Sequence, residues 1–572
     1  MRNDETTVER NAKKEKDMSS EQNFKKSKVA KVAKKGLFRI VFSRTGIMLL
    51  LILIQLGIFI MIPYYLNAYT TYIYGAFRAV SLLVLIHIIN SKGNPAFKMT
   101  WTLCVLVFPV VGSLFYLFVQ FQIGTRFLKA RLAELKIETD PYMQQDQEIV
   151  EAIWASKSAN AHLSYFLSHQ VGFPTYRNTA VKYFPLGEDK FASMVQELKK
   201  AKKFIFMEYF IVEEGYMWET ILDILKEKAA EGVEVRFMYD GMCAISMLPY
   251  DYPELIRSYG IQCKMSNKIT PFLSTSQNNR DHRKICVIDG RVAYTGGVNL
   301  GDEYINRKVR FGHWKDTAVM LKGDAVQSFT MMFLQMWNIE ARKPEDYRKY
   351  LTPKVKGLRR ELGYVIPYAD SPYDDENVGE EVYFHILNHA KKYVHIMTPY
   401  LILDNEMITT LTRVAKCGIE VIIIMPHIPD KWYAFAVAKT YYKELIESGV
   451  QIYEYTPGFV HAKVFVSDDD TATVGSINLD YRSLYLHFEC GVFIYNNSEV
   501  DKVERDFQQT LAKSHKVTLM EVKKTDTCNQ NIRSGIAPDC STYVKNSGFL
   551  SVFVKIHCTS GEKYSIMHKV IY

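Results

Sequence analysis

One short pattern occurs twice in this chain, and it constrains the fold more than any other feature. His282-Arg283-Lys284 leads to Asp289, and His461-Ala462-Lys463 leads to Asp468, so HxKxxxxD stands in both halves of the sequence. An asparagine follows 17 residues after each histidine, as Asn299 and Asn478. Chance gives one such pattern on the order of a tenth of the time in a composition like this. Two with the same downstream Asn require a duplicated unit. The echoes run wider: Ala201-Lys202-Lys203-Phe204-Ile205 returns as Ala390-Lys391-Lys392-Tyr393-Val394, and Glu231-Gly232-Val233-Glu234-Val235 as Cys417-Gly418-Ile419-Glu420-Val421. Two like units must therefore fold side by side.

From about residue 184 onward, short β-rich apolar runs alternate with helical stretches that end at a glycine, where a left-handed helix cap is cheap. This predicts an α/β fold built from two pseudo-symmetric sandwich repeats, 184–345 and 346–520, after a connecting region 120–183. Within the second motif, His461, Lys463 and Phe465 recur every second residue of a strand-like run, 460–466, and so share one face. Ala462, Val464 and Val466 fall on the other face and are expected in the core.

An imidazole beside an ammonium makes an anion site with a nucleophile at its edge. Neutral imidazole can attack phosphorus, and lysine can neutralise a non-bridging oxygen. A second histidine can protonate the departing alkoxide near neutral pH. Asn299 and Asn478 offer amide donors to phosphoryl oxygens. His and Lys on a strand are usually surface residues; the duplication is what argues otherwise here. One set is half a site, and two facing sets make a whole one.

Each imidazole needs an acceptor to fix its tautomer. Asp316, 34 residues after His282, and Glu489, 28 residues after His461, both lie in apolar strands where an unpartnered carboxylate is costly. They are either the orienting acceptors or ordinary strand-edge carboxylates, and the sequence leaves both readings open. No metal is expected, because lysine supplies fixed positive charge beside each histidine and no carboxylate-rich cluster accompanies them. No GxxxxGK[ST] loop is present to bind a nucleotide. The nine cysteines include no CxxC pair, which argues for free thiols rather than disulfides or zinc.

Ahead of the repeats lie a basic tail and three apolar stretches. Residues 1–45 hold 13 Lys+Arg against 6 Asp+Glu, +7 of the overall +9, so the body is near neutral and a uniformly basic nucleic-acid binder is disfavoured. The stretches at about 46–66, 69–90 and 101–119 are each long enough to cross roughly 30 Å of hydrocarbon. Tyr64, Tyr65, Tyr69 and Tyr72 cluster between the first two, as an interfacial belt would. A multi-pass protein of the cell membrane is expected. The basic tail argues for a cytoplasmic N-terminus, whereas Arg126, Lys129 and Arg131 argue against three simple crossings, so the side on which the repeats lie stays open.

The paired motifs resemble the phospholipase D superfamily, whose two HxKxxxxD sets form one site across a pseudo-twofold. The wider context is similar to bacterial cardiolipin synthases. This rests on Asn278-Asn279-Arg280-Asp281 before the first motif, on the run Tyr294-Thr295-Gly296-Gly297-Val298-Asn299-Leu300-Gly301-Asp302-Glu303-Tyr304 after it, and on Asn94-Pro95-Ala96-Phe97-Lys98 ahead of Phe108-Pro109-Val110-Val111-Gly112. The resemblance covers about residues 80–520. It implies a phosphatidyltransferase that condenses two phosphatidylglycerol molecules into cardiolipin and glycerol through a phosphatidyl-histidine, without cofactor or metal. It makes His282, Lys284, Asp289, His461, Lys463 and Asp468 the catalytic residues, with His282 the nucleophile. Phosphatidylglycerol and anionic membrane lipids are then the partners, and nucleic acid is not. The alternative is a phospholipase D-type phosphodiesterase that hydrolyses phospholipids. Two features depart from the family: the additional apolar segment at 46–66, and the tail 521–572 with Cys528, Cys540 and Cys558, to which no function is assigned.

Overall fold

The computed structural model describes residues 70–120, 123–268, 275–341, 343–351 and 363–523, with a few positions within 50–57. The basic tail, most of the first apolar stretch and residues 524–572 lie outside the described residues. The described residues divide into two units: an N-terminal one that ends at Arg126 and also takes in 275–277, and a larger one comprising the other described residues.

In the N-terminal unit, α1 (Thr70–Asn90), α2 (Pro95–Val107) and α3 (Pro109–Gln120) pack around Val84, Ile88, Val105 and Tyr116. Asn94 caps α2 by accepting from the Ala96 N–H at 2.9 Å, with Pro95 at the first helical turn, where its missing N–H costs nothing. The third apolar stretch, expected as one span, is two helices. Pro109 cannot donate into a continuing helix and pushes Phe108 out of it, to φ −126° and ψ 74°. At 1.5 Å per residue, α2 and α3 reach only about 20 Å and 18 Å. They meet so closely at Gly112 that a Cβ there would lie 2.5 Å from the Cys104 carbonyl oxygen. Among the described residues no helix is long and apolar enough to cross a membrane, so the three-crossing expectation is not met by the helices seen here.

The larger unit contains the two repeats. The first has strands β1 (Thr179–Phe184), β2 (Phe204–Tyr209), β3 (Glu234–Asp240), β4 (Gln262–Ser266), β5 (Lys284–Ile288), β6 (Val292–Gly296), β7 (His313–Lys315) and β8 (Ala318–Gly323). The second has β9 (Tyr364–Asp370), β10 (Tyr393–Met397), β11 (Leu401–Ile402), β12 (Glu420–Pro426), β13 (Gln451–Tyr455), β14 (Gly458–Val460), β15 (Val464–Ser467), β16 (Thr471–Gly475), β17 (Leu479–Asp480), β18 (Glu489–Tyr495) and β19 (Ser514–Lys516). The first sheet runs β1-β8-β6-β5-β2-β3-β4, and the second runs β9-β18-β16-β15-β10-β12-β13-β19. The order is the same strand for strand, with β19 added at the edge. In both sheets three neighbouring strands are parallel and the others antiparallel.

Three apolar cores hold these layers. A central core joins Ile285 and Val287 of β5 to Val464 and Val466 of β15, with the helices Val326–Trp337 and Val500–Leu511. Each sheet's other face packs into a core of its own repeat. Ala462, Val464 and Val466 lie in the central core, as the alternation predicts. Phe465 turns to the second repeat's own core and stacks on Tyr383 at 4.0 Å. The six described cysteines are all free.

Candidate active site

The expected continuous strand through 460–466 is interrupted at 461–463, and the interruption builds the site. β14 does not join the second sheet. It pairs in parallel with β7 of the first repeat, Phe459 opposite Trp314 and Val460 opposite Lys315. The next N–H, from His461, donates to the Lys315 carbonyl at 2.7 Å, and only from Val464 does the chain enter its own sheet. This register sets His461 against Asp316, and its Nδ1 lies 2.7 Å from Asp316 Oδ2. The first motif does the same in reverse. Asp281 bridges in parallel to Phe488, the His282 N–H donates to the Phe488 carbonyl at 2.9 Å, and His282 Nδ1 lies 2.8 Å from Glu489 Oε1. Each histidine is oriented by a carboxylate of the other repeat.

All of these groups are buried. Burial, opposed by Glu489, drives His282 well below the ordinary histidine value. Burial and the neighbouring Lys463 take His461 down to about 4, against the pull of Asp316. Both rings are therefore neutral at neutral pH, as a nucleophile or base requires. Burial raises the Glu489 carboxyl, but His282 and Lys284 more than offset this and hold it well below the carboxylate range. Lys284 and Lys463 each donate from Nζ to the carbonyl oxygen of their own motif's histidine. Burial lowers them to about 8 and about 7, and Lys284 pushes Lys463 further down, so the two ammonium groups of the two motifs feel one another. An anion between them relieves both desolvation and repulsion.

The surroundings of the two rings differ. Asp316 also accepts from the Thr317 N–H at 2.8 Å. It fits because residue 297 is glycine: a Cβ there would lie 2.0 Å from Asp316 Oδ1 and 3.0 Å from the His461 carbonyl oxygen. The corresponding residue in the second repeat is Ser476, whose hydroxyl instead donates to Glu489. Phe210 lies edge-on to His282 at 4.8 Å, and Tyr304 edge-on to His461 at 5.6 Å.

The motif aspartates stand apart from the two histidines. Asp289 and Asp468 lie just beyond the far ends of β5 and β15, five residues and about 17 Å of extended chain from Lys284 and Lys463. Asp289 accepts from the N–H groups of Lys202, Lys203 and Phe204 at 2.9, 2.7 and 3.0 Å. Asp468 does the same for Lys391, Lys392 and Tyr393 at 2.6, 2.8 and 3.1 Å. Each holds a left-handed turn, φ 54°, against the start of the neighbouring strand. Asn299 donates to the Tyr304 hydroxyl at 2.9 Å and accepts from the Ile211 N–H at 3.1 Å. Asn478 donates to the Ser483 hydroxyl at 3.0 Å, and its Oδ1 is buried without a hydrogen-bond partner among the described residues. Each amide keeps one N–H beyond these bonds.

Sequence reasoning did not single out His487 or Trp314, which stand two residues before Glu489 and Asp316. Their shared offset was the available signal. His282, His487 and Glu489 present ligand atoms within 4.8 Å of one another, the one such cluster among the described residues. Glu489 is already occupied by His282 and Ser476, and the Lys284 ammonium already draws on its charge, so these residues do not favour a cation.

Behind the first motif, Arg283 is buried against Glu208 at 2.5 Å and Asp281 at 3.3 Å. The second repeat has Ala462, Met397 and Val460 at the corresponding positions, all buried and apolar.

Comparison with known proteins matches the sequence to a family. The profile described as "Cardiolipin synthase, PLD-like domain" covers residues 194–337 and 383–511, one match in each repeat, and "Phospholipase_D-nuclease N-terminal" covers 79–120. A cardiolipin synthase of Alkalihalophilus pseudofirmus is 34% identical over 447 residues, 77% of this chain and 88% of that protein. This chain belongs to the cardiolipin synthase family of phospholipase D-like proteins. A cardiolipin synthase of Halalkalibacterium halodurans is 31% identical over 483 residues, covering 83% of this chain and 94% of that one. An uncharacterized protein of Streptococcus mutans serotype c is 50% identical over 440 residues, 77% of this chain and 95% of that one.

Proposed function

We propose that this member of the cardiolipin synthase family is a phosphatidyltransferase that condenses two phosphatidylglycerol molecules into cardiolipin and glycerol. The observation that carries the reading is the exchanged pair of histidine–carboxylate contacts, His282–Glu489 and His461–Asp316, with a buried lysine beside each ring. Nε2 of one neutral imidazole attacks the phosphorus of the first lipid. A P–N bond forms, the P–O bond to glycerol breaks, and the other imidazole, which gains a proton when the anionic phosphodiester binds beside it, gives that proton to the departing alkoxide and is left neutral. That second ring then takes the proton from a hydroxyl of the incoming phosphatidylglycerol, whose oxygen displaces the histidine. Lys284 and Lys463 neutralise the non-bridging oxygens throughout, and the carboxylates stabilise whichever ring is positively charged. Asn299 and Asn478 direct their remaining N–H groups at the same oxygens.

One phosphodiester is broken and one is made, so mass action sets the direction and no nucleotide is needed. Anchoring at a multi-pass membrane segment within 46–119 brings lipid acceptors to the intermediate ahead of water. The apolar side chains Leu82, Leu83, Ile89, Leu103 and Leu106, each more than half exposed, support a lipid-facing role for α1 and α2. The basic tail adds attraction to anionic headgroups.

The full chain, purified in detergent and given phosphatidylglycerol alone with excess chelator, is expected to yield cardiolipin and glycerol in equal amounts. Added glycerol is expected to drive cardiolipin back. Phosphatidic acid as the dominant product would identify a phospholipase, and a strict need for a cytidine-activated lipid would reject the mechanism.

A further inference from the structure

His487 belongs to neither motif, yet it borders the reacting histidine. It stands in the bend two residues before Glu489, just ahead of β18. Its ring lies 5.4 Å from the His282 ring, and its Nδ1 lies 3.7 Å from Glu489 Oε1, too long for a hydrogen bond. The residue is about nine-tenths buried at 8% exposure, and neither ring nitrogen has a hydrogen-bond partner among the described residues. Buried polar atoms are nearly always paired, so a buried ring that touches Glu489 only at ion-pair distance and makes no hydrogen bond points to a ligand that completes it.

The pseudo-twofold supplies an independent comparison. Trp314, two residues before Asp316, holds the same place beside His461. Its ring is 5.4 Å from that histidine, and its buried Nε1 also lacks a hydrogen-bond partner among the described residues. Each reacting imidazole is thus flanked by one buried ring with a nitrogen that lacks a hydrogen-bond partner among the described residues. The two flanking rings differ in chemistry: indole can only donate, whereas a neutral imidazole donates from one nitrogen and accepts at the other. A phosphoryl or ester oxygen needs only a donor. A free alcohol needs a donor and an acceptor together.

We infer that His487 is a specificity-determining residue that grips a hydroxyl of the glycerol headgroup on the His282 side, while Trp314 donates to a phosphoryl or ester oxygen on the His461 side. This rests on the proposed transferase reading and adds to it the feature that selects a polyol as leaving group and acceptor. The site is then asymmetric: the half that carries His487 handles the alcohol, and the half that carries Trp314 handles only oxygens that accept.

The test uses the purified full chain in detergent with phosphatidylglycerol as donor and equal concentrations of radiolabelled glycerol and radiolabelled 1-propanol as competing soluble acceptors, the ratio being read as label in phosphatidylglycerol against label in phosphatidylpropanol. Wild type is expected to favour glycerol strongly. His487→Phe, of similar shape, is expected to reduce that preference at least tenfold, to raise KM for phosphatidylglycerol, and to shift product from cardiolipin toward phosphatidic acid. His487→Asn, which keeps a donor and an acceptor, is expected to restore most of the preference. Trp314→Phe is expected to lower the rate without changing the glycerol-to-propanol ratio. An unchanged ratio in folded His487→Phe, judged by an unaltered thermal transition, would overturn the inference. So would an equal loss of ratio in His487→Asn. If wild type itself yields phosphatidic acid instead of cardiolipin, the transferase reading falls, and the glycerol-to-propanol ratio still decides the role of His487.

Discussion

Nδ1 of His282 lies 2.8 Å from Oε1 of Glu489, a carboxylate 207 residues further along the chain and in the other repeat. The reciprocal contact joins His461 to Asp316 across 145 residues. Removing either ring, by His282→Ala or His461→Ala, is expected to leave less than about a hundredth of the turnover, since nucleophile and proton donor come from different halves. Glu489→Gln and Asp316→Asn are expected to lower kcat by ~10²-fold or more with KM nearly unchanged, because an amide cannot stabilise the charged ring. Steady-state kinetics on mixed micelles checks this. A variant whose defect lies wholly in KM would contradict an orienting role.

The buried lysines give activity and stability opposite pH trends. Lys284 and Lys463, lowered by burial to about 8 and about 7, lose their charge as pH rises, so kcat/KM is expected to fall on the alkaline side of pH 7. In kcat that limb is expected at higher pH, because a bound phosphodiester favours the charged lysines. For stability, the unfolded chain binds more protons than the folded one wherever a folded pKa is depressed. Stability therefore rises with pH from about 4 to 6.5 through His461, and from about 7 to 10.5 through Lys463. Thermal unfolding across this range, beside the rate profile, checks both signs.

Gly297→Ala is expected to harm the reaction more than the fold. The new methyl would overlap Asp316 Oδ1 and press on the His461 carbonyl. Overpacking of this kind costs about 1–3 kcal/mol, while a displaced carboxylate is expected to lower kcat by ~10²-fold. Ser476→Ala, on the opposite half, removes only a hydroxyl from Glu489 and is expected to cost roughly tenfold. Equal rates for Gly297→Ala and wild type would show that Asp316 has room to move.

The Arg283 cluster can be tested with the protein's own second repeat as template. Arg283→Ala alone strands the buried Glu208 and Asp281 and is expected to cost about 3–5 kcal/mol. The triple change Glu208→Met, Asp281→Val, Arg283→Ala installs the residues found at 397, 460 and 462 and is expected to recover most of that loss. Denaturant unfolding of the two variants decides. A triple variant no better than the single one would mean that the charges serve more than one another.

The duplicated motif made the pseudo-symmetric fold and the two His/Lys pairs legible in the sequence, because local spacing alone places an imidazole and an ammonium together. The carboxylates were visible as costly residues in apolar strands, but their partners were not. Register between β14 and β7, and between Asp281 and Phe488, is a long-range property that no local period encodes. The place of Asp289 and Asp468 was hidden for a related reason: a motif records what recurs together, and both carboxylates accept backbone N–H groups at the far strand end. The break at Phe108–Pro109 was readable from the proline, but the surrounding apolar run outweighed it.

The exchange of carboxylates also orders events during synthesis. Asp316 leaves the ribosome 145 residues before His461, and His282 leaves 207 residues before Glu489. At roughly 5–20 residues per second, the first half waits about 10–40 seconds with a reactive-site carboxylate and imidazole that have no counterpart. A chain stopped anywhere before residue 489 has no complete site, however well its first sheet has folded. Activity therefore appears only with the last strands, and a truncated product has no means of attacking the lipids around it.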